Sequence, residues 1–400
     1  MQLPERFSSL PEYAFPRLRR LLADVPPGGP ELALSLGEPK HAPPAFVGEI
    51  IAAHAAEFGR YPPNEGVDEL RQAISDWLAR RYGVSVDPDR EIVALNGSRE
   101  GLFRAALALS PELKHGQRPA ILVPNPFYQA YGAGALAAGA DLVPVPATAE
   151  TGFLPDYARL PAALLDRVSL AFVCSPANPQ GAVASAEDWR RLIALAERHD
   201  FVLCADECYS EIWRETPPPG ALAAARAAGA DPERVAIFQS LSKRSSAPGL
   251  RCGFAAGGPR AIASLLRLTA YGGAPVPLPL QRAAAALWRD EAHVEASRLR
   301  YKAKFDAADR ILGGMPGYAS PPAGFFLWLD VGDGEAAAVR LWREAGVRVL
   351  PGGYLGRATD GGPNPGAGYI RVALVAPHDD TIRGLEAIRA VLAPHAEERV

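Results

Sequence analysis

The sequence has little that would tie it to an oxidising compartment, a metal, a membrane or a nucleic acid. It holds four cysteines in 400 residues. Cys174, Cys204, Cys208 and Cys252 stand mostly in apolar runs that read as strands, with neither metal-type spacing nor the density of a disulfide scaffold, so buried thiols and no metal are expected. Long runs of one charge sign are also missing. A net charge of −3 without such runs leaves no electrostatic footprint for nucleic acid or an anionic membrane surface, so small molecules are the expected partners. Residues 1–25 lack the uninterrupted apolar core of a signal peptide, being broken by Glu5, Arg6, Arg17, Arg19, Arg20 and several prolines; a cytoplasmic location is the expectation. No internal repeat or low-complexity block is present. Glycine and proline, by contrast, are plentiful at 38 and 39, but they are scattered among periodic apolar segments and so predict many ordered turns.

At 48% hydrophobic the chain can bury a large core, and its length suggests two to three domain-sized units. Apolar spacing at Leu18, Leu21, Leu22 and Val25 predicts a short helix, and Val67, Leu70, Ile74, Trp77 and Leu78 a stronger amphipathic one. Short runs of β-formers follow at Ile92 to Leu95, Ala120 to Val123, Leu170 to Cys174, Phe201 to Ala205, Val235 to Phe238 and Cys252 to Ala256, separated by helical stretches such as Ala186 to His199. This alternation predicts an α/β fold with a mostly parallel sheet covered on both faces. After about Pro279 comes one long helical tract through Leu312, then strand-like Phe325 to Val331, a helix near Ala336 to Ala345, strand-like Tyr369 to Val375 and a closing helix. The expected division is a large domain of residues 46–284 and a smaller α/β domain made of 1–45 and 285–400.

In open α/β sheets ligands sit at the carboxyl ends of strands, and four such ends carry chemistry. Asn96-Gly97-Ser98-Arg99-Glu100 follows a strand and opens a helix; it is either a capped helix start or a phosphate cradle of free amides at a positive dipole end. Ser175-Pro176-Ala177-Asn178-Pro179-Gln180-Gly181 reads by itself as a tight loop. Asp206, after Phe201 to Ala205, can cap a helix or face a cationic ring nitrogen, whose pKa such an anion raises by about one to three units. Ser240-Leu241-Ser242-Lys243, with Arg251 eight residues on, sets two hydroxyls and a guanidinium beside an amine able to form an imine; in isolation Lys243 would read as a surface lysine. Arg371 lies inside the apolar run Tyr369 to Val375, where a charge requires a partner, either a protein carboxylate or the α-carboxylate of a substrate.

Together these ends, in this order, resemble the class I aminotransferases of the type I fold, which are built on a large domain with a mostly parallel seven-stranded sheet plus a smaller α/β domain. The resemblance implies pyridoxal 5'-phosphate (PLP) bound to Lys243 as a Schiff base, with Asp206 the partner of the pyridine nitrogen and Asn178 and Tyr209 the partners of the ring's phenolic oxygen. It implies a phosphate site of Ser98 and Arg99, through their backbone amides, with Ser240, Ser242 and Arg251, and Tyr128 stacked on the ring. Lys243, Asp206 and Tyr209 would be the catalytic set, and Gly37, Asn178 and Arg371 the substrate-binding positions. Tyr61 resembles the tyrosine that reaches the phosphate from a neighbouring subunit, which implies a homodimer. The implied reaction is ping-pong transamination, with Lys243 moving the Cα proton.

Over nearly the full length the chain is most similar to bacterial N-succinyldiaminopimelate aminotransferases of lysine biosynthesis, through Leu10 to Leu22, Ser35 to His41, Phe172 to Val183, Asp206 to Trp213, Ser240 to Phe254 and Val349 to Arg371. Other amino-acid transaminations and PLP-dependent carbon–sulfur lyases share the cofactor residues and stay open as alternatives. The chain departs from the pattern at Gln180, where threonine is common, and in the proline-rich Tyr271 to Pro279, which is expected to bear on the substrate entrance. Lys40, Arg99 and Arg282 are the candidates for a remote substrate carboxylate.

Overall fold

The structure is a computed structural model and describes residues 7–8, 10–359 and 361–393. The outermost residues of the expected small domain, with Glu5 and Arg6, lie outside the described residues.

Seven strands form the main sheet in the spatial order Ile92–Leu95, Gly253–Gly257, Val235–Ser240, Val202–Asp206, Val168–Cys174, Ala120–Asn125, Asp141–Pro146. Gly253–Gly257 runs antiparallel to both neighbours, and every other pairing is parallel. The interior strand Val168–Cys174 is buried along its whole length, as covering by helices on both faces requires. On one face Trp77, Phe254 and Trp288 pack ring against ring, with the Trp77 and Trp288 centroids 4.7 Å apart. On the other, Tyr131 stacks on Phe172 at 4.6 Å.

The register brings the chemical strand ends to one edge. Cys174 pairs with Asp206, and Asp206 with Phe238. The ladder continues one residue past the strands, with the Ser175 amide donating to the Asp206 carbonyl and the Glu207 amide to the Phe238 carbonyl, each at 3.0 Å. Asn178, Asp206 and Lys243 therefore leave the sheet side by side.

Two features differ from the sequence reading. The strand Asp141–Pro146 lies at the sheet edge, where Pro144 and Pro146 are tolerated because one side of the strand has no neighbour to bond. The tract after Pro279 is two helices, Leu278–Arg289 and Ala292–Leu312, parted where Asp290 turns extended and its carboxylate accepts from the His293 amide at 3.0 Å. A second, antiparallel sheet joins Leu350–Pro351, Tyr369–Ala373 and Phe326–Asp330, while Leu32–Ala33 pairs parallel with Val347–Arg348. Leu34 is buried with Phe305, Leu327, Ile370 and Leu385, so the N-terminal segment shares the core of the C-terminal elements. All four cysteines are buried with free thiols. Among the described residues no helix is long and apolar enough to cross a membrane.

Glu207 secures the residue beside the sheet edge. Its buried carboxylate accepts from the Ala221 amide at 2.7 Å, anchoring the start of helix Ala221–Ala228, and from Gln239 Nε2 at 3.2 Å. Burial raises its pKa to about 7 despite these bonds and the nearby Arg81. A carboxyl with a raised folded pKa loses stability as pH climbs from its unfolded value through 7. Glu207→Gln keeps an acceptor for Ala221 and removes the charge. Urea unfolding should show the variant gaining on the wild type at pH 8, by at most about 3 kcal/mol, with the advantage gone near pH 5.

Candidate active site

The strand ends open into a cavity of about 520 Å³ between the main sheet, the loop around Gly37 and the C-terminal sheet. Gly37, Ser98, Arg99, Tyr128, Asn178, Asp206, Tyr209, Ser240, Ser242, Lys243, Arg251 and Arg371 all line it. Tyr61 does not. It is fully exposed in the single chain, on the segment between the 3-10 turn Ala55–Gly59 and helix Asp68–Tyr82.

At the floor sits Asp206, buried at the end of its strand. Its Oδ2 accepts from the Tyr131 hydroxyl at 2.6 Å and its Oδ1 from the Cys208 amide at 3.2 Å. No helix starts there, which removes the capping alternative. Burial pushes the carboxyl pKa up, the hydrogen bonds from Tyr131 and Cys208 and the charge of Lys243 pull it down, and among the described residues no cation forms a salt bridge with it. Cys174 and Cys208 flank it as thiols held neutral by burial.

Lys243 follows in the short helix Leu241–Arg244. Its Nζ donates to the Gly37 carbonyl at 2.6 Å and lies 5.3 Å from the Phe325 ring centroid. Desolvation lowers its pKa to about 8, with Arg371 adding to the effect, so near neutral pH a usable fraction is free amine. The surface-lysine alternative fails on this burial. Gly37 must be glycine, since a Cβ would come within 2.5 Å of the Phe326 ring.

Arg371 projects from Tyr369–Ala373, fully desolvated, with its guanidinium 4.2 Å above Phe326. Nη1 donates to Asn178 Oδ1 and Nη2 to the Ser35 carbonyl, each at 2.9 Å, while Nε has no partner. No carboxylate pairs with it among the described residues. Burial lowers its pKa to about 10, which leaves it charged at neutral pH.

At the far end, helix Ser98–Leu109 begins after Gly97, whose φ of 80° and close approach to Arg251 exclude a side chain; an added Cβ would lie 2.2 Å from Arg251 Nη2. No side chain caps this helix, so its first amides are free for a ligand. Ser240 Oγ, at 2.9 Å from Ser242 Oγ, and Arg251, bonded only to the Pro248 and Asn96 carbonyls, complete a positive, hydroxyl-lined corner. Arg99 Nε donates to the Tyr128 hydroxyl at the rim.

The other sequence candidates lie elsewhere. Lys40 is exposed and paired with Glu38, and Arg282 is spent on Glu57 and Glu69, so of the three remote-carboxylate candidates only Arg99 reaches the cavity. Gln180 turns away, its amide 3.5 Å from the Ala147 carbonyl. None of residues 271–279 lines the cavity of the single chain. Sequence reasoning missed Tyr131 because a buried tyrosine reads as core. The signal was its place one helical turn after Tyr128, together with the need of any buried phenol for a partner.

A model of the family described as aminotransferase class I and II matches residues 30–387. The chain belongs to the class I and II aminotransferases. It is 34% identical to the LL-diaminopimelate aminotransferase of Desulforudis audaxviator over 97% of each chain. A Neisseria meningitidis aminotransferase structure superposes with a TM-score of 0.92 at 38% identity, covering 98% of this chain and 100% of that one. A probable N-succinyldiaminopimelate aminotransferase from Thermus thermophilus gives a TM-score of 0.83 at 26% identity, covering 95% and 100%. The fold is the type I fold of this family, and the cofactor is PLP.

The aminotransferase's cavity suits that group on its own terms. An unpaired buried carboxylate, an unpaired buried guanidinium and an anion-ready corner cleared by Gly97 suit the ring nitrogen, the substrate carboxylate and the phosphate in turn. The Tyr131 hydroxyl donates to the Asp206 carboxylate and so opposes the upward pull of burial on its pKa. Tyr131→Phe should weaken PLP binding by roughly 10-fold or more, since a hydrogen bond to a buried charge contributes about 1.5–3 kcal/mol. Equilibrium dialysis of the cofactor at pH 8 measures the loss, and unchanged affinity would show that Tyr131 serves packing alone.

Proposed function

We propose that the chain transfers the amino group of N-succinyl-LL-2,6-diaminopimelate to 2-oxoglutarate, giving N-succinyl-2-amino-6-oxopimelate and glutamate, in the cytoplasm and as a homodimer completed by Tyr61 of each partner. Residues 46–284 form its large domain, and 1–45 with 285–400 the small one. The observation that carries the reading is a desolvated amine, Lys243, in one cavity with a buried guanidinium, Arg371, that has no anion of its own. The substrate class is supported by the diaminopimelate activity of the Desulforudis relative, and the succinyl form by the Thermus neighbour and the motif runs.

PLP, when bound, supplies a carbonyl carbon for amine capture and a ring that takes up the electron pair left when the substrate's Cα–H bond breaks. The chain's residues do the rest. Arg371, with Asn178, grips the α-carboxylate and orients Cα towards Lys243. Lys243 Nζ, once free of the Gly37 carbonyl, takes the Cα proton as general base. Asp206 would keep a proton on the ring nitrogen, and Asn178 and Tyr209 would hold the phenolic oxygen. Ser98 and Arg99, through their backbone amides, with Ser240, Ser242 and Arg251 would bind the phosphate, and Tyr128 would lie against the ring. Arg99, bonded by its side chain only to Tyr128, is the cation available to a distal carboxylate.

The Desulforudis relative favours a second reading, in which free LL-diaminopimelate is the substrate. Assaying both compounds with 2-oxoglutarate separates the two: ping-pong turnover with kcat/KM at least 10-fold higher, roughly 1.4 kcal/mol, for the succinylated form is expected. The reverse preference discards the succinyl assignment, and turnover of neither discards the substrate class. Lys243→Ala should lower kcat by about 10⁴-fold, the upper range for removal of a general base. Arg371→Ala should raise KM by roughly 10² with a smaller change in kcat, as loss of a bidentate carboxylate contact predicts.

A further inference from the structure

A second cavity, of about 460 Å³, lies across the Gly37 loop from the first. Residues 36–38 line the active site, and His41 to Pro44 line this cleft. Likewise Ser242 and Lys243 face the one, and Ser245 and Ser246 the other. The remaining wall is helix Ala292–Leu312, which contributes His293, Ser297 and Arg300.

Positive charge here has no counter-ion. Lys304, one turn beyond Arg300, is almost wholly buried, and its Nζ has one polar partner, His41 Nε2 at 3.0 Å. Neither Lys304 nor Arg300 pairs with a carboxylate among the described residues. Like charges four residues apart on a helix repel, and a buried unpaired ammonium is costly. Burial and Arg300 together lower the Lys304 pKa to about 8, while burial with both cations brings His41 to about 4. A neutral His41 that accepts from Lys304 through Nε2 carries its hydrogen on Nδ1, so it is a donor on its other side. Ser297 Oγ, on the cleft wall, is buried with no hydrogen-bond partner. The nearby acid, Asp290, is already bonded to the ring and amide of His293, whose Nε2 meets Ser245 Oγ at 2.8 Å.

We propose that this cleft binds a phosphate-sized oxyanion, held by Arg300, His41 Nδ1–H and the hydroxyls of Ser246 and Ser297, with the Lys304 ammonium supplying charge from behind His41. The shared chemistry is that of a free phosphate or a small carboxylate. An occupant would tie the loop of residues 38–44 to helix Ala292–Leu312, and so steady the Gly37 carbonyl to which Lys243 donates.

The test uses the PLP-loaded enzyme, so that the cofactor's own phosphate site is filled. Inorganic phosphate, acetate and chloride at matched ionic strength are compared by thermal unfolding and by titration calorimetry. Phosphate should raise the unfolding midpoint of the wild type by about 2 °C or more over chloride, as ligand linkage requires. An equal rise with acetate would assign the occupant as a carboxylate, still within the proposal. The solvent-facing change Arg300→Ala should abolish the rise, and Ser297→Ala should weaken binding about 5-fold or more, the loss of one hydrogen bond. Lys304→Met should abolish it while leaving the variant at least as stable as the wild type in chloride. No anion-dependent rise in the wild type, or one that persists in Arg300→Ala, overturns the proposal.

Discussion

The structure turns on one electrostatic constraint, the burial of opposite charges that are not paired with each other. Asp206 and Arg371 face the same cavity, each bonded only to neutral groups, Tyr131 and the Cys208 amide on one side, Asn178 and the Ser35 carbonyl on the other. Burying a charge without a counter-ion costs several kcal/mol, and a fold bears that cost only where a ligand or a dense set of neutral donors and acceptors offsets it. The surrounding architecture is what holds these groups apart. Asp206 is locked by strand pairing on both sides and Arg371 by a separate antiparallel sheet, so neither can relax towards the other. Lys243 sits between these walls, and its depressed pKa follows from the same desolvation with Arg371 adding to it.

Much of this was legible in the chain because the cofactor half of the site is local in sequence. Each strand end is a contiguous stretch in which an apolar run stops at a polar residue, so Asn178, Asp206 and Lys243 could be placed without tertiary information, and the parallel sheet then aligns them. The edge strand Asp141–Pro146 was not legible, since its prolines argue against a strand unless one knows that it has a neighbour on one side only. The break at Asp290 was hidden for a different reason: helical periodicity resumes at once in Ala292–Leu312, and the carboxylate that caps it also reads as an ordinary helical residue.

Tyr131 and two of the three remote-carboxylate candidates were misjudged in opposite ways, and both errors concern partners. A buried tyrosine next to Phe172 looks like packing until the position of its hydroxyl is known, while Lys40 and Arg282 look available until Glu38, Glu57 and Glu69 are seen to hold them. Composition gives the charge of a residue but not whether that charge is already spent. The family's match over residues 30–387 takes in both the cofactor residues and the wall that faces them.

The two sides of the cavity are built differently. The wall opposite the cofactor residues is assembled from Tyr13, Phe15, Leu36, Leu350 and Leu355, which come from three separate stretches of the chain. None of these side chains carries a formal charge, so along them shape rather than ion pairing must discriminate among substrates, with Glu38, paired with Lys40, and the Arg99 side chain as the charged groups beside them. An apolar contact discriminates weakly, by about 1–3 kcal/mol per methylene, whereas a buried polar group left unpaired discriminates by orders of magnitude. The same fold can therefore serve several amino acids by exchanging a few wall residues while Asp206, Lys243 and Arg371 stay in place. The Gly37 loop is where the two demands meet: its carbonyl receives Lys243 on one side, and its continuation through His41 closes a basic cleft on the other.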